Sequence, residues 1–222
     1  MILCIETTSH NCSVALVNSG QVLGVKEDRP EQGYGHAEQL HVFIDALMKA
    51  HNVPSTSLQA VAVSQGPGSY TGLRIGVSAA KGFAHALKIP LIAIDTLRMM
   101  FESIVSMHEA DVYIPMVDAR RMEVYTTAFS RSGEVLVPTA AVILDETFFT
   151  SYQGRVLVFG EGSEKSVPFF HEGCIHVDQV FPSAVMMVEQ ATRLFEAKNF
   201  VDVAYFEPLY LKEFVAGKPA AR

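Results

Sequence analysis

Apolar residues along this chain follow two rhythms. Short continuous or alternating runs suit strands, longer runs suit helices, and the set occurs twice in the same order. Residues 2–7 and 12–17 are apolar runs separated by the polar stretch Thr8-Ser9-His10-Asn11. Asn18-Ser19-Gly20 then turns the chain into a strand at 21–27, which predicts an antiparallel meander. A loop rich in charge, Gly and Pro runs from Asp28 to Gly35 and leads to a helix over 36–51, closed by Asn52 and Pro54. Residues 59–64 read as a short apolar strand of the parallel kind, 71–87 as a helix of small residues and 91–94 as a strand, with Asp95 placed to cap a helix over 96–108. The second half repeats this grammar. Strands at 113–117 and 122–129 are joined by Asp118-Ala119-Arg120-Arg121, and Arg131-Ser132-Gly133 turns into another strand. A further apolar strand follows at 156–159, with helices near 145–151, 161–170 and 183–198. Two such units predict an α/β protein of two similar lobes, 1–100 and 101–222, meeting near residues 98–110.

The two long N-terminal helices carry more apolar surface than one core needs. On the helix from His36, the polar residues Glu38, His41, Asp45 and Lys49 fall within an arc of roughly 80°. The apolar residues, among them Leu40, Phe43, Ile44 and Leu47, spread over about 240°, where a one-sided surface helix needs a stripe of little more than 100°. Either the helix is deeply buried in one large core or its second face meets another subunit. The helix over 71–87 holds Gly76 and Gly82 in its interior, each costing roughly 1 kcal/mol relative to alanine. With Ser78, Ala79, Ala80, Ala84 and Ala86 they form a groove that lets a second backbone come near, from the same domain or from a partner. On the interface reading, bulk at Gly76 or Ala80 abolishes association and spares the fold.

Composition narrows the function classes. The 222 residues carry 17 Lys and Arg against 24 Asp and Glu, a net charge of −7, with 49% apolar and 18% charged residues. A chain of this size buries roughly 70% of its unfolded surface and needs no covalent staple. The acidic balance argues against independent binding of nucleic acid, which demands clustered Lys and Arg. Arg120, Arg121, Lys218 and Arg222 read first as solvated surface charge, with a share in a nucleic-acid contact left open. Cys4, Cys12 and Cys174 form no CxxC pair, which fits a reducing cytoplasm and excludes a disulfide scaffold or a cysteine zinc knuckle. No apolar run approaches 18 residues, so no membrane span is expected.

The sharpest local motif is residues 66–76, Gly-Pro-Gly-Ser-Tyr-Thr-Gly-Leu-Arg-Ile-Gly, between an apolar strand and a helix. Exposed amides at such a helix start can receive an anion. The motif nonetheless fails the phosphate templates: Leu73-Arg74 follows Gly72 where a P-loop needs Lys and then Ser or Thr, and Thr71 stands where the dinucleotide pattern needs glycine. GxSxG is also missing, because Ser69 follows Gly68 directly. The plainer reading is a tight turn and a helix that another segment approaches closely. His36 and His41, five apart, lie about 140° from one another on a helix and do not share a metal-binding face. His171 and His176 lack an acidic or cysteine partner at ligand spacing. No catalytic residue and no metal site are assigned.

Residues 2–17, the run 66–76, Lys81-Gly82-Phe83-Ala84, Asp118–Tyr125 and Pro208–Leu211 together resemble the bacterial TsaB (YeaZ) family across nearly the whole chain. The resemblance implies a two-lobed actin-like fold (ASKHA, ribonuclease H-like). It also implies the role of a non-catalytic partner to a TsaD-like catalytic subunit. Together with a TsaE-like ATPase, that assembly transfers threonylcarbamoyl, from an adenylate made by a separate enzyme, to the adenosine beside a tRNA anticodon. No cofactor of its own is expected, since nucleotide and metal belong to the partner subunits. The metal-binding HxxxH of the catalytic relative reads here His36-Ala37-Glu38-Gln39-Leu40, with leucine for the second ligand. The Asp-x-Gly-Thr phosphate hairpins of actin-like ATPases read Glu6-Thr7-Thr8-Ser9 and Asp118-Ala119-Arg120-Arg121, without glycine. Gly160-Glu161-Gly162-Ser163 has the look of a remnant adenosine contact.

Two functional readings follow. In the first, the helices near 36–51 and 71–87 dock on the catalytic partner through His36, Leu40, Phe43, Ile44, Leu47, Leu73, Gly76, Ala79, Ala80 and Phe83. The chain alone then forms a homodimer, and tRNA is met only through the complex. In the second, the chain is itself an actin-like nucleotide hydrolase or a glycoprotease-like peptidase. Glu6 and Asp118 then face the interlobe cleft and hold magnesium through water. Their plainer role is hydrogen bonding to turn amides.

Overall fold

In the computed structural model, which describes residues 1–29 and 35–212, the chain builds two sheets with the same strand plan. Strands β1 (Ile2–Glu6), β2 (Cys12–Asn18) and β3 (Gln21–Asp28) form the antiparallel meander. Helix α1 (His36–Ala50) follows; β4 (Ala60–Gly66) then pairs parallel with β1, and after helix α2 (Tyr70–Leu87) strand β5 (Leu91–Asp95) pairs parallel with β4. Helix α3 (Thr96–Ile104) leads to the second meander: β6 (Val112–Asp118), β7 (Glu123–Ser130) and β8 (Val135–Ile143). Strand β9 (Val156–Phe159) lies parallel to β6, β10 (Cys174–Val177) lies parallel to β9, and helix α4 (Val188–Glu196) comes last. The sheets run β3-β2-β1-β4-β5 and β8-β7-β6-β9-β10, and the molecule is a two-lobed α/β structure of the actin-like kind.

Strand alternation sorts the side chains between layers. Leu3, Ile5, Val14, Leu16, Val61 and Val63 turn to one face of the first sheet, where Leu40, Ile44 and Leu47 of α1 and Val77, Ala80 and Ala84 of α2 close over them. Cys4, Ala15, Ala62, Ile92 and Ile94 turn to the other face, toward α3. That helix buries Leu97, Met99, Met100, Phe101 and Ile104, and its first turn is fixed by Arg98 N–H donating to the Asp95 carboxylate at 2.8 Å. Tyr113, Val117, Phe129 and Phe159 of the second sheet join the same apolar cluster, so one core runs through both lobes. Phe149, Phe170 and Tyr152 cover the far face of the second sheet.

Five features depart from the sequence reading. No helix forms at 145–151, because Asp145 accepts from both the amide and the hydroxyl of Thr147 and holds the segment in turns under Phe148 and Phe149. The helix near 161–170 is a 3₁₀ turn, Ser163–Phe169, that contains Pro168, and the helix near 183–198 divides into a 3₁₀ turn, Ala184–Met187, and α4. Strand β10 was not foreseen, and it completes the second sheet as a copy of the first. The chain beyond 180 also returns to the first lobe: Ala184, Met187 and Ala191 join its core, Val201 N–H donates to Leu91 O, and Leu209 N–H donates to Gln65 O at 2.7 Å. The residues of 1–100 are therefore completed by residues from the C-terminal half.

Candidate functional site

The Gly-rich turn before α2 is occupied by the chain itself. Gly68, Gly72 and Gly76 stand four residues apart along the segment where the β1–β2 turn crosses it. A Cβ on Gly68 would lie 2.5 Å from Thr8 O, on Gly72 1.9 Å from Thr7 O and on Gly76 2.2 Å from Thr7 Oγ1. The contact is hydrogen-bonded: Ser69 N–H donates to Thr8 O at 2.7 Å and the Thr7 hydroxyl donates to Gly72 O at 2.8 Å. Gly72 N–H donates to Ser69 Oγ at 3.3 Å, the helix cap. Two of the amides that the sequence offered to an anion, those of Ser69 and Gly72, are thus spent on this contact and cap, and the close approach that the plainer reading expected comes from within the chain.

Where the two lobes face one another, the carboxylates are spent in the same way. Glu6 is fully buried: one oxygen accepts the Thr8 amide and hydroxyl, both at 2.5 Å, and the other accepts the Ser64 hydroxyl. Burial pushes its pKa up, against the hydrogen bonds from Ser64 and Thr8. Asp118 accepts Arg120 N–H and the Lys165 ammonium, both at 2.5 Å. Each carboxylate binds a turn amide, the plainer of the two roles expected for them. His10 bridges the lobes with its ring 3.5 Å from Glu161, whose carboxylate holds the imidazole above its usual range. Gly160 and Gly162 fit against β6 backbone, since added Cβ atoms would lie 2.2 Å from Met116 O and 2.8 Å from Val117 C. The glycines read as a remnant of adenosine binding are therefore packing glycines. Sequence reasoning missed Ser163 and His176, which approach to 2.8 Å. Ser163 is 1% exposed and donates its proton to Gly160 O at 2.6 Å, so it is not presented to a substrate. Only spatial proximity reveals that pair.

The helix face expected to meet a partner needs correction. Leu40, Ile44, Leu47, Leu73, Gly76, Ala79 and Ala80 are buried under the chain's own sheet and turns, and His36 is buried with Nε2 2.8 Å from Ser9 O. The extra apolar arc of α1 faces the chain's own core across a wide front, and bulk at Gly76 or Ala80 would disturb the fold itself. Phe43 and Phe83 are half-buried. The residues turned outward are His41, Val42 at 61% exposure, Asp45 and Lys49 on α1, and Arg74, Ser78, Gly82 and His85 on α2. Gly82 differs from the other helix glycines, because a Cβ there meets no atom of the described residues within 4 Å. Two hollows open along these helices. One, of about 590 Å³, is lined by His41, Ile44, Met48, Val53 and Phe83; the other, of about 640 Å³, by Lys81, Gly82, His85, Asp202 and Val203.

Among the described residues no helix is long and apolar enough to cross a membrane, and no group of three or more His, Cys, Asp or Glu is placed to hold a metal ion. A family model described as TsaD, tRNA N6-adenosine threonylcarbamoyltransferase, matches residues 30–207. The chain is 29% identical over 226 residues to the tRNA threonylcarbamoyladenosine biosynthesis protein TsaB of Escherichia coli K12, covering 98% of this chain and 96% of that protein. It is 26% identical over 228 residues to the TsaB of Haemophilus influenzae, covering 98% and 95%. The structure of YeaZ from Pseudomonas aeruginosa superposes with a TM-score of 0.78 at 23% identity, over 95% of this chain and 99% of that one.

Proposed function

The chain belongs to the TsaB (YeaZ) family, and on that footing we propose that it serves threonylcarbamoyladenosine formation in tRNA as a non-catalytic subunit that docks on and supports a TsaD-like catalytic subunit. The observation that carries the non-catalytic part is the state of the interlobe region. Its turns lack the phosphate glycines, and Glu6, Asp118 and the turn amides bind one another. The docking part rests on α1 and α2. The outward face of the two helices, with Ser78 and Gly82 exposed and one hollow lined by Phe83 and another by Gly82, suits a helix pair from the partner. A glycine that costs about 1 kcal/mol in a helix and that no contact among the described residues requires is explained by a backbone arriving from outside. Without the partner the same face pairs two copies of the chain. Nucleotide and metal belong to the TsaD-like and TsaE-like subunits, tRNA is met through the assembly, and the three cysteines suit a reducing cytoplasm.

The test is size exclusion with light scattering on the chain alone and mixed with the TsaD homologue of the same organism. The expected result is a homodimer that gives way to a heterocomplex, with Gly82→Leu weakening both associations by at least tenfold while the circular dichroism spectrum is unchanged. A parent chain that forms no complex at micromolar concentrations removes this reading. Tight nucleotide binding lost in Glu6→Ala or Asp118→Ala restores the hydrolase.

A further inference from the structure

We propose that the β6–β7 turn is a contact for the phosphodiester backbone of RNA, made by Arg120 and Arg121 side by side. The inference rests on the chain's place in a tRNA-modifying assembly and adds to it a surface that touches the substrate. The turn is a closed unit: Ala119 N–H donates to Glu123 O at 3.1 Å, Glu123 N–H donates to Arg120 O at 3.2 Å, and Asp118 receives Arg120 N–H. Both arginines sit in the left-handed region, with φ of 69° and 51°. Hairpin turns that need two positive φ values in succession ordinarily carry Asn-Gly or Gly-Gly, because a Cβ crowds the backbone in that conformation. Here two long cationic side chains occupy these positions, both exposed, in a turn the backbone alone would give to smaller residues.

The surrounding charges are already matched. Lys165 is paired with Asp118 and also donates to Glu123 O at 3.2 Å, while Lys212 is paired with the Glu123 carboxylate. Neither guanidinium has an ion-pair partner among the described residues. The turn therefore projects two positive charges that no described residue pairs, from a chain whose net charge is −7. A small phosphorylated ligand requires a concave site, and the hollows at α1 and α2 are lined by other residues. Two adjacent guanidinium groups on a protruding, hydrogen-bonded turn suit instead the repeating phosphates of a polyanion, which they bind without reading sequence. Lys218 and Arg222, weighed with these arginines in the sequence, lie outside the described residues.

The decisive variant is Arg120→Asn with Arg121→Gly, which gives the turn residues that its backbone prefers and removes both charges. Binding of a fluorescently labelled tRNA transcript is followed by anisotropy from about 50 to about 200 mM salt, for the heterocomplex and for the chain alone. Each lost phosphate contact lowers the log–log salt slope by about 0.9, so the parent's advantage over the variant should shrink about tenfold across this range. Thermal stability should hold or rise, partner binding should be unchanged, and Arg120→Lys with Arg121→Lys should keep most of the affinity. Equal affinity and slope in parent and variant overturn the proposal, as does loss of partner binding in the variant, which would make the turn a protein interface. If the parent forms no heterocomplex, the docking reading falls on its own, and the chain-alone titration decides this one.

Discussion

Alanine at Gly82 and alanine at Gly72 make the same chemical change in the same helix, and the structure gives them opposite signs. In a helix interior, alanine is favoured over glycine by about 0.8–1.0 kcal/mol. At Gly82 the added methyl meets no described residue within 4 Å, so the whole gain should appear as stability. For a chain of this size that is a rise in Tm of about 2–4 °C. At Gly72 the methyl would lie 1.9 Å from Thr7 O and 3.1 Å from Thr7 C. These are main-chain atoms, and the neighbouring bonds from the Thr7 hydroxyl to Gly72 O and from Ser69 N–H to Thr8 O resist their retreat. Overpacking of this kind costs about 1–3 kcal/mol, occasionally more, and exceeds the propensity gain. The propensity gain is common to both, so the two variants should differ by the overpacking cost, about 1–3 kcal/mol, or roughly 2–12 °C in Tm. Urea and thermal denaturation followed by circular dichroism, on both variants and the parent, measure this directly. Equal shifts in the two alanines would refute the assignment of the N-terminal glycines to a contact within the chain and the reading of Gly82 as open to the outside.

Glu6→Gln tests the buried carboxylate. Because burial raises the native pKa above the ordinary 4.5, the folded state holds the proton at pH values where the unfolded chain has released it. Stability from this group accordingly falls as pH rises through that window. The stability of Glu6→Gln relative to the parent should increase from pH 4 to pH 7 in urea titrations; a flat or falling difference contradicts it. Phe149→Ala removes a ring that is 1% exposed and packs with centroids 4.7 Å from Phe148 and 5.1 Å from Phe170. It should cost about 3–5 kcal/mol, and a loss under about 1 kcal/mol in the same assay would mean that this cluster does not hold the far face of the second sheet.

The sequence by itself determined the two meanders, the long helices and the duplicated plan. Those features rest on local causes: strand and helix periodicity in the apolar residues, turn chemistry at Ser19-Gly20, and the Asp95 cap. It also carried the family, because the motif at 66–76 and the run Asp118–Tyr125 are continuous in the chain. Tertiary structure decided what depends on segments far apart in sequence. Strand β10 is short and half-buried, and only the parallel edge of β9 makes a strand of it. The return of 184–209 to the first lobe follows from apolar surface on that lobe that its own residues leave uncovered. The glycines at 68, 72 and 76 and the one at 82 look alike in sequence. They part in role because Thr7 and Thr8 approach the first three and none of the described residues approaches the fourth. Likewise Glu6 and Asp118 read as paired acids until Ser64, Thr8 and Lys165 are found holding them. Periodicity fixes which face a residue takes on its own element. Which neighbour fills that face is settled only when the elements pack, since the desolvated polar groups must find their partners there.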